Sequence, residues 1–311
     1  MAFTAAISAA ATSVLPRPSW RFHSTPVAMA SVSMLPRHRP SSSSLASASP
    51  VPFLHRRHRR RSSSKVYAFL KGWSSVPVFD IRPANAQESI FLITLDLSNA
   101  PILLNSYKTP GQYILTRVPS SDRNPSYFSI CSPPRSGSRF QLLVRSVPNT
   151  TSELLCNLKP GDVVELGPCV GQGFSNPIEN LNPPEAAKTV VMIAAEEGIS
   201  PMRALIKYGF AAKERDTVKL YFGASREDIM PLRDEISGWE ATGVTVQEVI
   251  GKPVQLPFFE ELNKIIVNPD STAAILVGPQ QMEEEVVGVL TDLNVPHDKI
   301  FTYQGWYPGS S

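Results

Sequence analysis

The chain has 311 residues, and 30 Lys and Arg side chains against 27 Asp and Glu give it a formal net charge of +3. Ten of the basic residues lie in positions 1–68, which hold no carboxylate, so residues 69–311 carry 20 basic and 27 acidic side chains and give no support to nucleic-acid binding. Three cysteines without a CxxC pair and a single histidine after residue 68 disfavour metal, iron–sulfur and disulfide sites, and no apolar run approaches the roughly eighteen residues of a membrane span.

Residues 1–68 have the composition of an organelle transit peptide. They combine an Ala- and Ser-rich start, scattered arginines, no acidic residue and a basic block at positions 56–61. The tripeptide Val66-Tyr67-Ala68 resembles a chloroplast processing site, which predicts a mature N-terminus near Phe69. We therefore expect a chloroplast location, with the mitochondrion as second choice. The alternatives are a disordered basic tail and a nuclear signal in the block that begins at His55.

Residues 69–183 have the pattern of an antiparallel β domain. Strand-like runs occupy residues 89–97, 140–146 and 163–166, and turn signals such as Pro110-Gly111 and Pro160-Gly161 separate them. Many short strands at this spacing predict an antiparallel barrel or sandwich. The one clear helical pattern covers residues 151–158, and Thr150, Thr151 and Ser152 are its N-cap candidates.

A series of motifs in this half resembles the ferredoxin–NADP reductase superfamily. The series comprises Pro110-Gly111-Gln112-Tyr113, Tyr127-Phe128-Ser129-Ile130-Cys131-Ser132, the Thr150–Leu154 helix start, Lys159-Pro160-Gly161-Asp162 and Leu166-Gly167-Pro168. Order and spacing agree with the family over more than 200 residues. The similarity is closest to a plant branch of FAD/NAD(P)-binding oxidoreductases that includes fruit-protein homologues. This resemblance implies a flavin-binding β-barrel followed by a Rossmann-like nucleotide-binding domain.

The resemblance implies a flavin site around residues 127–152. Phe128 is the candidate to stack on the flavin ring, and Ser129 or the backbone at Ile130 is the candidate polar contact. The helix start at Thr151 and Ser152 is the candidate pyrophosphate site. The family arginine that clamps the pyrophosphate falls at Ser126. We expect Arg145 to replace it, with Arg123 as the second candidate. The alternative is that the two aromatic residues belong to the barrel core and Arg145 is a solvated strand residue. The expected flavin-binding set is Tyr127, Phe128, Ser129, Ile130, Arg145, Thr151 and Ser152.

Residues 184–311 change to an alternating strand and helix pattern. The continuous apolar run at 189–195 predicts a buried parallel strand, and further strands are expected at 218–222, 244–250 and 273–277. Helical patterns cover residues 201–210, 228–239, 258–265 and 280–293. This order predicts a parallel sheet flanked by helices, with a ligand site at the carboxyl ends of the strands. Charged residues such as Arg203, Lys207 and Lys213 are expected to be ordinary helix-face charges.

The turn after the first strand departs from the family pattern. The family sequence Gly-Thr-Gly-Ile-Ala-Pro is here Glu196-Glu197-Gly198-Ile199-Ser200-Pro201. Two carboxylates within about 5 Å of a pyrophosphate would each repel it by about 1–3 kcal/mol, whereas a helix N-terminus favours them. We expect Glu196 and Glu197 to fill the anion site themselves, and a catalytic acid–base role is the less favoured alternative.

Two later motifs also resemble the family's nucleotide site. Residues 222–226 resemble the end of its second strand, where Arg226 is the candidate for the adenosine phosphate and an exposed cation is the alternative. Residues 277–282 resemble the family's CGPxxM stretch with Val277 in place of its cysteine. The expected NAD(P) set is Gly198, Ile199, Ser200, Pro201, Arg226, Gly278 and Pro279. At the C-terminus, the candidates for an aromatic residue over the flavin are Tyr303, Trp306 and Tyr307, and the alternative is that Phe301 and Tyr303 are ordinary strand residues.

The resemblance implies an FAD-dependent oxidoreductase that passes electrons between NADP(H) or NAD(H) and an unidentified acceptor. The alternative is a degenerate, non-catalytic homologue with an impaired NAD(P) site that binds flavin or a partner. Because no Lys/Arg cluster is evident after residue 68, ferredoxin is a partner only by family analogy. No metal, nucleic acid or transmembrane segment is expected.

Overall fold

The computed structural model describes residues 72–119, 121–251 and 256–303. The expected transit peptide, its processing site and the aromatic residues Trp306 and Tyr307 lie outside these ranges. No helix among the described residues is long and apolar enough to cross a membrane.

Six antiparallel strands form the first sheet, in the order β4-β3-β6-β1-β2-β5. Their bounds are β1 (Ser74–Pro83), β2 (Ile90–Asp96), β3 (Tyr113–Arg117), β4 (Ser126–Ser129), β5 (Arg139–Arg145) and β6 (Val163–Val170). The two end strands meet where Ile130 bridges to Leu142 and the Cys131 amide donates to the Gln141 carbonyl at 2.7 Å. The sheet therefore closes into the expected barrel, which has no free edge at this seam.

Three short helices accompany the barrel: α1 (Pro101–Ser106) and α2 (Thr151–Cys156) connect its strands, and α3 (Ser175–Asn180) follows its last strand, β6. Only α2 was expected from the sequence. The first begins on a proline, which suits the first turn of a helix because that position needs no backbone donor. Neither α1 nor α3 exceeds six residues, so neither repeats an apolar period long enough to be recognised in the sequence, whereas the cap and turn residues around α2 identify it.

Five parallel strands form the second sheet, in the order β11-β10-β7-β8-β9. The strands are β7 (Thr189–Ala195), β8 (Thr217–Ala224), β9 (Thr245–Ile250), β10 (Thr272–Val277) and β11 (Ile300–Thr302). Every residue of β7 is buried, as expected of a central strand covered on both faces. The two-part fold class, a β-barrel followed by a parallel α/β sheet, is confirmed.

Helices α4 (Ile199–Tyr208), α5 (Ile236–Glu240), α6 (Leu256–Ile265) and α7 (Gln280–Asp292) flank this sheet. The expected helix over residues 228–239 is wrong. Two 3-10 turns, Glu227–Ile229 and Arg233–Glu235, precede the short helix α5. Pro231 and the left-handed φ of +55° at Leu232 account for the break, because neither conformation continues an α-helix.

Two hydrophobic clusters stabilise the molecule. One fills the barrel interior, whereas the other joins barrel residues such as Leu92 and Leu143 to sheet residues such as Met192 and Leu220. The barrel and the parallel sheet therefore share an apolar interface, and the expected flavin and nucleotide motifs meet at its margin. The division at residues 183 and 184 into two domains stays a prediction.

Candidate functional site

Strand β4 carries the flavin-motif side chains on alternating faces, as the pleat requires. Phe128 is half-buried and packs against the barrel core, whereas Tyr127 packs against the cluster shared with the parallel sheet. Ile130 is fully buried and forms the bridge that closes the barrel. Stacking of Phe128 on a flavin stays a prediction, and the structure adds that Tyr127 is the aromatic residue directed to the interface with the sheet.

A pair of serines connects this strand to the nucleotide turn. The Ser129 hydroxyl donates to the Ser200 hydroxyl at 2.8 Å, and the Ser200 hydroxyl lies 3.3 Å from the Ser129 carbonyl oxygen. Ser200 is fully buried in the first turn of α4. The residue expected at the polar edge of a flavin and a residue expected in the nucleotide turn are therefore in direct contact.

The N-terminus of α2 is satisfied by its own side chains. Thr150 accepts from the Ser152 amide at 3.2 Å, and Glu153 accepts from the Asn149 amide at 2.8 Å. The buried Thr151 hydroxyl donates to the Asn124 carbonyl at 2.6 Å. These contacts fix the start of the helix, and a flavin role for Thr151 and Ser152 stays a prediction.

Arg145 is held by the two unusual glutamates of the nucleotide turn. Its guanidinium donates to Glu197 at 2.5 and 2.7 Å and to Glu196 at 2.5 Å. Burial alone would lower the pKa of Arg145, but the hydrogen bonds and charges of Glu197 and Glu196 raise it. The three groups together carry a net charge of −1 rather than the −2 that the turn alone suggests. Repulsion of a bound phosphate is therefore weaker than the sequence indicates.

This arrangement changes the interpretation of Arg145. Its side chain is 28% exposed, so it is neither a free clamp for a pyrophosphate nor a solvated strand residue. Arg123 is exposed, donates to Asn149 Oδ1 at 3.4 Å just before α2, and makes no ion pair within the described ranges. Arg123 therefore becomes the better-placed cation at that helix start.

Glu196 has a backbone conformation that normally belongs to glycine. Its φ is +46°, which costs about 1–2 kcal/mol in a residue with a side chain. The ferredoxin–NADP reductase motif that this turn resembles has glycine at this position. The carboxylate is held by Arg145 and accepts from the Ser225 hydroxyl at 3.2 Å and from the Ser225 amide at 3.5 Å. These contacts hold the residue in its strained conformation.

The two glycines of the expected nucleotide set serve close packing. A Cβ atom on Gly198 would lie 2.4 Å from the Val277 carbonyl oxygen, and one on Gly278 would lie 3.2 Å from the Ala195 side chain. Ile199 and Pro201 are buried in the first turn of α4. These residues bring the ends of β7 and β10 together, and their contact with a nucleotide stays a prediction.

The remaining two nucleotide candidates are exposed. Arg226 follows β8 and makes a two-pronged ion pair with Asp228, at 2.9 and 2.8 Å. Pro279 is the N-cap residue of α7 and makes no side-chain cap. Arg226 is therefore an exposed cation, as the alternative expectation from the sequence has it, and its contact with an adenosine phosphate stays a prediction.

Arg203 is not an ordinary helix-face charge, and that expectation is wrong. The side chain is 3% exposed and makes a two-pronged ion pair with Glu235, both contacts at 2.7 Å. It also donates to the Cys131 carbonyl at 3.0 Å and to Gln141 Oε1 at 2.9 Å. Arg203 therefore ties the first sheet helix to the seam of the barrel. Lys207, by contrast, is exposed and joins the same carboxylate at 2.8 Å.

The C-terminal aromatic residue Tyr303 also joins the sheet to the barrel. Its hydroxyl donates to the Gly111 carbonyl at 2.9 Å, and its ring lies 5.1 Å from Tyr113 and 5.9 Å from Phe174. The left-handed φ of +83° at Gly111 permits the turn, and a Cβ there would lie 2.9 Å from the Phe174 ring. The Tyr303 ring packs in this aromatic cluster. Its place over a flavin stays a prediction.

Comparison with known proteins gives the family. The chain is 39% identical to the fruit protein pKIWI502 of Actinidia deliciosa over 249 residues, which cover 75% of this chain and 77% of the relative. The chain belongs to the family of this fruit protein. The fruit-protein branch named by the sequence motifs is therefore confirmed, although no family model matches the chain.

A second relative matches over a shorter range. It is a probable dihydroorotate dehydrogenase B (NAD(+)) electron transfer subunit of Pyrococcus furiosus, 29% identical over 126 residues that cover 40% of this chain and 42% of the relative.

Solved structures confirm the ferredoxin–NADP reductase fold of this fruit-protein homologue. A ferredoxin NADP+ reductase from Neisseria gonorrhoeae with bound FAD and NADP matches at TM-score 0.60 and 15% identity, over 75% of this chain and 97% of that one. The CS-b5R domains of human Ncb5or, in the NAD+ form, match at TM-score 0.60 and 17% identity, over 75% of this chain and 69% of that one.

The side chains at the margin of barrel and sheet suit a flavin better than they suit the diphosphate of a pyridine nucleotide. The half-buried Tyr127 lies on the same face of β4 as Ser129, and the exposed Arg123 lies at the start of α2. A flavin dinucleotide needs an apolar wall, a polar edge contact and a cation, and the assignment of these roles to the three residues stays a prediction. The nucleotide turn, by contrast, presents Glu196 and Glu197 with their charge only partly offset by Arg145.

Proposed function

We propose that this protein is an FAD-dependent oxidoreductase that passes electrons between a reduced pyridine nucleotide and an unidentified acceptor. The hydrogen bond between Ser129 and Ser200 carries the proposal. It brings the strand expected to line the flavin to within 2.8 Å of the turn expected to hold the nucleotide. Electron transfer between two cofactors needs the two binding sites to be adjacent. A protein that only bound two ligands independently would not need this adjacency.

The residues of this chain have distinct roles in the proposed site. Tyr127 provides apolar surface beside the ring, and Phe128 packs behind it in the barrel core. Ser129 provides a hydroxyl at the polar edge of the ring, and Arg123 provides positive charge near the diphosphate. A bound flavin supplies the redox chemistry by accepting electrons from the reduced nicotinamide. The protein orients the two ligands and excludes water, so the scarcity of histidine and cysteine is no obstacle.

The second candidate function is that of a degenerate homologue without catalysis. The ion pairs of Arg145 with Glu196 and Glu197 favour it, because they place carboxylates where the family has Gly and Thr. Such a protein would bind flavin, or a partner, and would not respond to a pyridine nucleotide. The residual charge of −1 at the turn is the physical basis for this alternative.

Visible spectroscopy of the purified full-length chain separates these functions. A yellow protein whose absorption bleaches on anaerobic addition of NADH or NADPH supports the oxidoreductase. A yellow protein that stays oxidised with both nucleotides supports the degenerate homologue. A colourless protein that cannot be reconstituted with FAD excludes both flavin functions. Arg123→Ala should weaken FAD retention more than Arg145→Ala, since only Arg123 is free of carboxylate partners within the described ranges.

We also propose that the protein is a chloroplast protein and that residues 69–183 and 184–311 are its two domains. The composition of residues 1–68 supports the location. A fluorescent fusion to residues 1–68 tests it, and accumulation in the cytosol or in mitochondria would contradict it. Ferredoxin stays a candidate acceptor by analogy with the family alone.

A further inference from the structure

The polar groups that follow strand β8 are already paired with carboxylates. Ser225 donates its hydroxyl to Glu196 at 3.2 Å, and Arg226 is bound to Asp228 at 2.8 and 2.9 Å. Hydroxyl and guanidinium groups at the end of the second strand are the ones that could hold an additional phosphate on a nucleotide ribose. Here both are occupied by acidic side chains of the protein itself.

The Glu196 carboxylate lies at the end of strand β8, although the residue itself follows strand β7 in the sequence. Glu196 follows β7, and β7 pairs with β8 so that Ala195 faces Gly223 at the ends of the strands. The side chain reaches across to Ser225, so its charge lies at the end of the second strand. Nucleotide-binding α/β sheets commonly place an acidic residue at the end of that strand, where it accepts a hydrogen bond from a ribose 2′-hydroxyl. Glu196 supplies a carboxylate at the same place, but from the turn that follows β7.

We propose that Glu196 makes this protein select NADH over NADPH. Its carboxylate accepts from the ribose 2′-hydroxyl of NADH and repels the 2′-phosphate of NADPH. This inference rests on the proposed function, because it assumes that a pyridine nucleotide binds at the ends of β7 and β8.

The charges around this carboxylate do not reverse its effect. Arg145 is shared between Glu196 and Glu197, and Arg226 is paired with Asp228. The five groups together carry a net charge of −1. A phosphate monoester carries about −1.5 to −2 charges at neutral pH, so its repulsion by a carboxylate at about 5 Å corresponds to a discrimination of about tenfold or more.

Calorimetric titration of the oxidised flavoprotein with NAD+ and NADP+ measures this selectivity without any turnover. The wild-type chain should bind NAD+ at least about tenfold more tightly than NADP+. Glu196→Gln should raise the ratio of NADP+ to NAD+ affinity by about tenfold, because it removes the charge and keeps the size of the side chain. Glu197→Gln is the matched control, since it removes the same charge from the same arginine and no hydrogen bond to Ser225.

The possible outcomes are distinct. Equal or tighter binding of NADP+ by the wild-type chain would overturn the inference, even if Glu196→Gln does not fold. A ratio that changes equally in both variants would remove the special role of Glu196. Binding of neither nucleotide would overturn both the inference and the proposed function. Selective NAD+ binding with a flavin that NADH does not bleach would overturn the proposed function alone.

Discussion

Replacement of Arg203 by methionine tests whether the network between barrel and sheet stabilises the fold. The guanidinium makes two bonds to Glu235 and further bonds to the Cys131 carbonyl and Gln141 Oε1, from a side chain that is 3% exposed. Methionine keeps much of the apolar stem and removes every one of these donors. The variant therefore leaves a half-buried carboxylate and two further acceptors with fewer partners.

The loss of unfolding free energy in Arg203→Met is about 3 kcal/mol on two independent grounds. Removing one partner of a buried ion pair costs about 3–5 kcal/mol. Independently, burial acts to raise the pKa of the Glu235 carboxyl, yet hydrogen bonds from Arg203 and Lys207 lower it from 4.5 to about 2. This difference corresponds to about 3 kcal/mol, part of which belongs to Lys207. We expect Arg203→Met to lose about 3 kcal/mol of unfolding free energy and about 6–12 °C of melting temperature.

The lowered pKa of Glu235 also predicts a pH dependence. Since the folded pKa lies below the unfolded one, the stabilisation is complete above pH 4.5 and is lost as the pH falls towards 2. Urea unfolding at about pH 6 and pH 3 should therefore show a smaller difference between wild type and Arg203→Met at the lower pH.

Arg233→Met is the matched control for Arg203→Met. Arg233 also pairs with two carboxylates, Glu227 and Glu248, but its side chain is 45% exposed. Its replacement should change the unfolding free energy clearly less, because solvent screens exposed pairs. Equal losses in the two variants would refute the argument that burial makes the Arg203 network important.

The remaining predictions concern the turn and the interface. Glu196→Gly combined with Glu197→Thr should tighten NADP+ binding by about tenfold in calorimetric titration, and an unchanged affinity would contradict the repulsion argument. Gly198→Ala should cost about 1–3 kcal/mol in urea unfolding, because its Cβ would lie 2.4 Å from a carbonyl oxygen of β10. Gly288→Ala, in the open middle of α7, should instead gain about 0.5–1 kcal/mol. Tyr303→Phe should lower the free energy of unfolding by about 1 kcal/mol in urea unfolding, because it removes the hydrogen bond from Tyr303 to the Pro-Gly turn. An unchanged free energy would mean that ring packing alone stabilises this contact.

The fold could be predicted from the sequence because its strongest patterns are local. The apolar run at 189–195 corresponds to β7 residue for residue, and the alternation after it gives the parallel sheet. The short helix α1 and the broken segment around Leu232 were not predictable, because six residues show too little periodicity and a left-handed leucine has no sequence signature.

The candidate site was predictable only in part, because its decisive contacts join distant residues. Arg145 and Glu196 are 51 positions apart, so the missing family arginine and the additional acidic residues look like separate losses in the sequence. In the structure they form one ion-pair cluster. Arg203 looked like a surface charge because a helical pattern does not reveal which polar side chain a neighbouring barrel will cover.

Anaerobic mixing of the purified yellow protein with NADH tests the central claim most directly, since that claim is that a flavin and a nucleotide meet where Ser129 contacts Ser200. We predict that the visible flavin absorption disappears with NADH and that NADPH is the weaker reductant. A protein that retains its flavin in the oxidised state under saturating concentrations of both nucleotides would contradict it.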